Sequence, residues 1–142
     1  MNIIIIDKNL KTPLNTNLFK NLHERRVIIF TSKNNFKSQK LKQIGCEIIE
    51  MKIENKKLNL KKIFTHLYNL KISDLFVEAG GVLFADLINN NLVDEIHLFK
   101  APIIIGKKGI PVIKGIKLKN IKKKLLETKK FDNNIYTKYA IK

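Results

Sequence analysis

The sequence predicts an α/β domain with a mixed, mostly parallel sheet flanked by helices and an antiparallel hairpin at its end. Over the first hundred residues, strand-like apolar runs alternate with amphipathic helical patterns, which is typical of a sheet covered by helices. After Pro102 the helical periodicity stops and two long strand-like segments follow. A chain of 142 residues that is 44% hydrophobic can bury one sizeable core. We therefore expect a single domain over residues 1–142.

Five short apolar runs are the predicted strands of the sheet. They are residues 3–6, 27–30, 46–51, 75–78 and 95–99. Two amphipathic helices are predicted between them, the first over residues 35–44 and ending at Gly45, a residue suited to a left-handed cap. The second helix repeats apolar residues at spacings of three and four: Leu60, Ile63, Phe64, Leu67 and Leu70.

The last forty residues predict loops and a hairpin rather than helices. Glycines and prolines indicate a turn at residues 106–109 and a loop around Pro111 and Gly115. Residues 119–131 and 134–141 then predict two strands. Asp132 and Asn133 separate them, and both residue types tolerate the positive backbone angles of a tight turn.

The net charge of +16 raises the question of a nucleic-acid partner, because cationic side chains that neutralise phosphates dominate such binding. The basic residues are nearly all lysines, spread along the whole chain, and no nucleic-acid-binding signature accompanies them. Abundant lysine, asparagine and isoleucine are typical of an AT-rich genome. We therefore expect no nucleic-acid partner, although a basic binding module remains an alternative that salt-dependent DNA or RNA binding would support.

Other composition features narrow the function further. No apolar run approaches the roughly 20 residues needed to cross a bilayer, so we expect a cytoplasmic protein with no membrane partner. The single cysteine, Cys46, lies in an apolar stretch that predicts ordinary burial. His66 and His97 lack further ligands at suitable spacing, and we expect no metal. Lys107 and Lys108 are interpreted as part of a solvated turn.

Residues 75–88 carry the chemistry that the sequence predicts. An apolar run ends in Glu78 and Ala79, and Gly80 and Gly81 precede a helical pattern. Glycines at a strand-to-helix junction let backbone amides approach a phosphate, and a helix N-terminus adds unpaired N–H groups and partial positive charge. A plain tight turn is the alternative interpretation. Glu78, at the carboxyl end of a strand, would project toward a ligand or complement the dipole of the helix, and the two roles are not exclusive.

Motifs in fixed order resemble a known family, the C-terminal reductase domain of the bifunctional riboflavin-biosynthesis deaminase-reductase, whose fold is similar to dihydrofolate reductase. The motifs are FVEAGG at residues 76–81, LVDEI at 92–96, and Ala-Pro at 101–102 followed by Gly106. A second anchor is IIID at residues 4–7 followed by LKTPL at 10–14, which looks like the strand and turn before a nucleotide-binding loop. The resemblance runs nearly end to end.

The resemblance implies an NADPH-dependent reductase that reduces the ribosyl group of 5-amino-6-(5-phosphoribosylamino)uracil to ribityl. It implies that Glu78 contacts this phosphoribosylamino-pyrimidine substrate and that relatives form homodimers. It assigns cofactor contacts to a continuous run: Gly80, Gly81, Val82, Leu83, Phe84 and Ala85. The cofactor would carry the hard chemistry, while protein groups place it against the substrate. No residue is assigned as catalytic.

Two departures from the family pattern leave alternatives open. Lys8 stands where the family commonly has a small hydroxyl residue, so that cofactor contact is not carried over. The family's first strand and the upstream deaminase domain are also lacking. We therefore expect either a fragment or part of a split gene, with a separate deaminase or N-terminal piece as a partner. A catalytically silent subunit and a different NADPH reductase of the same fold are the alternative functions.

Overall fold

The computed structural model describes residues 1–112, 114 and 121–141. Contacts divide the chain into two compact units, Met1–Leu70 and Lys71–Lys142. The prediction of a single domain stays a prediction. Gly115 of the predicted loop and residues 119 and 120 of a predicted strand lie outside the described residues.

The first unit contains a three-stranded parallel sheet, ordered β1 (Asn2–Ile6), β2 (Arg26–Thr31) and β3 (Glu47–Glu50). The central strand β2 is apolar on both faces because both faces are covered, and Val27 to Phe30 are fully buried. The sequence predicted all three strands, and they are confirmed.

Helices α1 (Phe36–Gln43) and α2 (Leu60–Asn69) cover the two faces of this sheet. Leu41 of α1 joins the core cluster that contains Val27 and Ile29. On the opposite face, His66 of α2 meets Phe30 edge-on at 5.5 Å between ring centroids. Helix α2 buries its predicted apolar side, whereas in the first helix Leu41 is buried and the apolar residues Phe36 and Ile44 are exposed.

The boundaries of α1 are set by residues that stabilise helix ends. Asn35 caps its start, accepting a hydrogen bond from the Ser38 amide, and the Ser38 hydroxyl accepts one from the Asn35 amide. Gly45 follows the end of α1 at φ +103°, the left-handed conformation that the sequence predicted for it. Cys46 is buried as expected, and burial raises the pKa of its thiol.

A small hairpin between β3 and α2 was not predicted. Strands β4 (Ile53–Glu54) and β5 (Lys57–Leu58) pair around Asn55 and Lys56, at φ 48° and 65°. Two consecutive positive φ values are typical of the tightest hairpin turn, and Asn55 was the available signal.

The second unit contains helix α3 (Gly81–Asn89) and an antiparallel sheet ordered β6 (Glu95–Lys100), β8 (Asn134–Ile141) and β7 (Lys123–Phe131). The predicted hairpin is confirmed: β7 and β8 pair around a turn with Asp132 at φ 50°. Strand β6 pairs antiparallel to β8, so within the described residues the parallel pairing is confined to the first unit.

One predicted strand is wrong. Residues 75–78 form no strand, and Phe76 and Val77 are 79% and 45% exposed. An apolar run becomes a strand only when a neighbouring backbone pairs with it. Here no described residue makes backbone hydrogen bonds with the segment, so its strand propensity is not realised.

Candidate functional site

The predicted site lies at the start of α3, where Glu78, Gly80 and the first amides of the helix follow one another in the chain. Gly80 is the N-cap, with φ −71° and ψ 163°, and no side chain caps the helix. The amides of Gly81, Val82 and Leu83 have no acceptor among the described residues, and the first intrahelical bond runs from the Phe84 amide to the Gly80 carbonyl at 3.0 Å. These free N–H groups can bind an anion.

The two glycines of this turn have different reasons to be glycine. A Cβ at Gly80 would meet no atom within 4 Å, so this position is open. A Cβ at Gly81 would lie 2.7 Å from the Pro111 carbonyl oxygen and 2.9 Å from that of Val112. Gly81 therefore permits close approach of another backbone, which the sequence interpretation missed. Space for a phosphate is left at Gly80.

A hydrogen bond joins the same two backbones, since the Lys114 amide donates to the Gly81 carbonyl at 3.3 Å. The first turn of α3 is therefore fixed by the second unit's own chain. Farther along the helix, Ala85, Leu87 and Ile88 are buried, which holds the helix by its apolar side. Ala85 is fully buried, backbone included, so its predicted contact with the cofactor has no exposed atom in this structure.

Glu78 is exposed and makes no hydrogen bond or ion pair with a described residue. No side-chain hydrogen bond caps α3, so Glu78 does not cap it in that way, and the interaction of its charge with the helix dipole stays a prediction. A free carboxylate accepts hydrogen bonds only, and its partners would be hydroxyls or ring N–H groups.

A second ordered loop follows β1, in the region that resembles a nucleotide-binding loop. The Asp7 carboxylate accepts hydrogen bonds from the Thr12 amide and hydroxyl, each at 2.7 Å. Burial alone would raise the pKa of Asp7, but these bonds, one from the Lys11 amide and the charge of Lys37 together lower it. Lys37 also donates to the Leu10 carbonyl at 2.7 Å. The loop is therefore rigidly held.

The ammonium of Lys8 is not free to bind a phosphate in this loop, because it already has a hydrogen-bond acceptor. Its ammonium donates to the Lys56 carbonyl at 2.8 Å, and its carbonyl accepts hydrogen bonds from the Ser32 amide and hydroxyl. Lys8 thus ties the end of β1 to neighbouring segments.

The carboxyl ends of β2 and β3 form an open groove that the sequence did not predict. It has a volume of about 530 Å³ and is lined by Ser32, Glu50, Met51, Lys52 and Ile53. Parallel sheets bind ligands at this edge. The signal in the sequence was only that two predicted strands end at neighbouring places, which does not define a groove.

Among the described residues, no group of three His, Cys, Asp or Glu side chains could hold a metal ion. Over the same part of the chain, no helix is long and apolar enough to span a membrane.

Comparisons with known proteins match nearly the whole chain to one family. The family model described as RibD C-terminal domain matches residues 1–137. A riboflavin biosynthesis protein RibD from Aquifex aeolicus is 35% identical over 104 residues, covering 73% of this chain and 28% of that protein. A 2,5-diamino-6-ribosylamino-4(3H)-pyrimidinone 5′-phosphate reductase from the same organism is 31% identical over 115 residues, covering 77% of this chain and 50% of that protein.

Solved structures agree on the fold. The structure of Acinetobacter baumannii RibD matches with a TM-score of 0.81 at 21% identity, covering 98% of this chain and 37% of that one. The predicted dihydrofolate-reductase-like α/β fold is confirmed. The chain spans between about a quarter and a half of the length of these curated relatives.

Proposed function

The chain belongs to the RibD C-terminal domain family, and from this we propose that it is an NADPH-dependent reductase of riboflavin biosynthesis. Its proposed substrate is 5-amino-6-(5-phosphoribosylamino)uracil, whose ribosyl group becomes ribityl. The observation that carries the proposal is the family match over residues 1–137, which includes both Glu78 and the glycine turn. Two features of the site support it: a helix start with free amides beside an open glycine, and a carboxylate that has no partner among the described residues.

NADPH would supply a hydride to the anomeric carbon of the sugar, through the ring-opened imine of the substrate. The protein's part would be binding and orientation. The amides of Gly81, Val82 and Leu83 would hold a cofactor phosphate, since they have no other acceptor in the described chain. Glu78 would accept hydrogen bonds from the pyrimidine or the sugar, fixing the carbon that is reduced.

The test of the cofactor site is NADPH binding to the purified chain by fluorescence titration, with Gly80→Asp and Gly80→Asn as a matched pair. Both residues are good N-caps, and a side chain at Gly80 meets open space, so both variants should fold. We expect the carboxylate to weaken binding at least tenfold more than the amide does, because only the carboxylate repels a phosphate. Equal affinities of the two variants would contradict a phosphate at this turn.

Gly81→Asp is unsuitable for this test. Its Cβ would clash with the carbonyl oxygens of Pro111 and Val112, so a loss of binding would report misfolding instead of charge repulsion.

The substrate is tested by NADPH oxidation in the presence of the phosphoribosylamino-uracil and, separately, of the 2,5-diamino-pyrimidinone. We expect turnover of the uracil, and Glu78→Gln should lower kcat/KM by about tenfold or more, because a neutral amide is a weaker acceptor. Turnover of the diamino compound alone would reassign the substrate. Binding of NADPH without turnover of either compound would favour a silent subunit.

We also propose a protein partner: a homodimer, or a separate N-terminal piece or deaminase. Exposed apolar side chains in the second unit support this. In the described chain, β1 of the first unit and β6 of the second are also edge strands, each paired with a strand on one side only. Open apolar edges and patches favour association. Sedimentation of the chain, alone and with a co-expressed deaminase, would distinguish a homodimer from a complex with the deaminase. A chain that stays monomeric and does not bind the deaminase would contradict both proposals.

A further inference from the structure

The segment that carries Glu78 is poorly anchored by its own backbone. Residues 72–79 lie between α2 and α3 in no regular structure, and no backbone hydrogen bond joins them to another described residue. A carboxylate on such a segment has no fixed position unless a side chain holds the segment. Precise placement of a substrate contact requires such support.

Phe76 provides an anchor two residues before Glu78. Its ring lies edge-on to the imidazole of His97, with 6.3 Å between centroids and 75° between planes. This is the favourable geometry for an aromatic pair. Phe76 is 79% exposed, and among the described residues the His97 imidazole is the one aromatic ring that it meets.

His97 itself is held in place on the face of the antiparallel sheet. The Tyr136 hydroxyl lies 2.9 Å from Nδ1, and a Glu95 carboxylate oxygen lies 3.3 Å from Nε2. The Lys138 ammonium lies 2.9 Å from the same oxygen of Glu95, and its hydrogen bond lowers the pKa of this carboxyl. An ionised carboxylate can only accept, so Nε2–H donates to it, and in the neutral imidazole this leaves Nδ1 to accept from the Tyr136 hydroxyl.

We propose that His97 is a positioning residue: its ring, oriented by Tyr136 and Glu95, fixes Phe76 and thereby the segment that presents Glu78. The inference rests on the proposed function for the role of Glu78 in substrate binding. The positioning itself is a property of the free protein. In this role His97 acts through Phe76 and touches no substrate.

The first test is backbone ¹⁵N relaxation of residues 76–79 in the full chain, which needs no substrate. We expect order parameters near 0.85, a rigid backbone, falling below about 0.6 in His97→Ala. Tyr136→Phe should give a smaller decrease, because the ring stays but the hydroxyl that orients it is gone. His97→Phe keeps a ring against Phe76 and should restore most of the rigidity.

The matched control is Phe131→Leu, which removes an exposed ring at the far end of β7 that makes no ring contact with Phe76, His97 or Tyr136 in the described chain. We expect it to leave residues 76–79 unchanged. A mobile segment in the unmodified chain would overturn the inference, and so would a His97→Ala segment as rigid as the original. If His97→Ala does not fold, the relaxation measurement is made on Phe76→Leu and Tyr136→Phe, which weaken the Phe76–His97 contact without changing His97.

The second test is kinetic. His97→Ala should raise KM for the pyrimidine about three- to tenfold, the effect expected from losing one aromatic contact, with kcat changed less than twofold. Adding Phe76→Leu to His97→Ala should raise KM no further, because each substitution removes the same Phe76–His97 contact. Additive effects would overturn the inference. If the unmodified chain turns over no pyrimidine, the proposed function fails, while the relaxation test still decides the positioning.

Discussion

The two units of this chain are built differently. Residues 1–70 contain most of the buried apolar side chains, including a central strand with no exposed residue between Val27 and Phe30. In residues 71–142 the buried apolar side chains of the described chain are Ala85, Leu87 and Ile88, while Ile104 is 97% exposed and Ile110 88%. The first unit is stabilised by its own core, whereas the second presents apolar surface that association would cover.

The largest expected difference between the units comes from deleting one large apolar side chain in each. Phe30→Ala should destabilise the chain by about 3–5 kcal/mol, because the ring is fully buried and leaves a cavity. Ile104→Ala should change the free energy of unfolding by less than about 0.5 kcal/mol, because that side chain is already in water. Urea unfolding of both variants measures this. Similar losses would mean that Ile104 is covered in solution and the contrast is false.

Within the second unit, the two glycines of the site should behave unequally. Gly81→Ala should destabilise the chain by about 1–3 kcal/mol, since its Cβ would lie 2.7 Å from a backbone oxygen. Gly80→Ser should be close to neutral, because the position is open and serine is a good N-cap. Thermal unfolding compares them. If Gly81→Ala is tolerated, the chain at Pro111 and Val112 does not pack as described.

In the first unit, Asp7→Ala should destabilise the chain by about 1–2 kcal/mol at pH 7, through loss of charged hydrogen bonds to Thr12. Because the folded pKa of Asp7 is lowered, its stabilisation is present above the unfolded value of about 3.9 and is lost as pH falls through the folded value. The difference between Asp7→Ala and the original chain should therefore shrink below about pH 4. Urea unfolding at several pH values measures this difference in the free energy of unfolding. A difference that does not change with pH would assign the effect to packing.

The smallest expected effect is at the start of α1. Asn35→Ala removes the cap of a reciprocal pair with Ser38 and should cost about 1 kcal/mol. Asn35→Asp retains an acceptor and should recover most of this loss. Circular dichroism during urea unfolding measures the stability of both variants. Equal destabilisation of the two would show that the capping hydrogen bond does not account for the loss.

The success of the sequence prediction differs between the same two regions. In residues 1–70, periodicity located three strands and two helices, because each element buries a pattern against its neighbours. In residues 71–142 it located α3, β6 and the hairpin, but predicted a strand at 75–78 that is absent from the described structure. The composition of that segment favours a strand, but the composition of one segment contains no information on whether a neighbour is available to pair with it.

The sequence by itself determined the fold class, the helix that starts at the glycine pair, and the motifs that place the chain in its family, because these depend on local patterns. The tertiary structure alone decided which glycine is open, since the crowding at Gly81 comes from a backbone thirty residues away. It also brought His97, Tyr136 and Phe76 together. Contacts between distant residues depend on how the chain folds back on itself, and no local pattern specifies them.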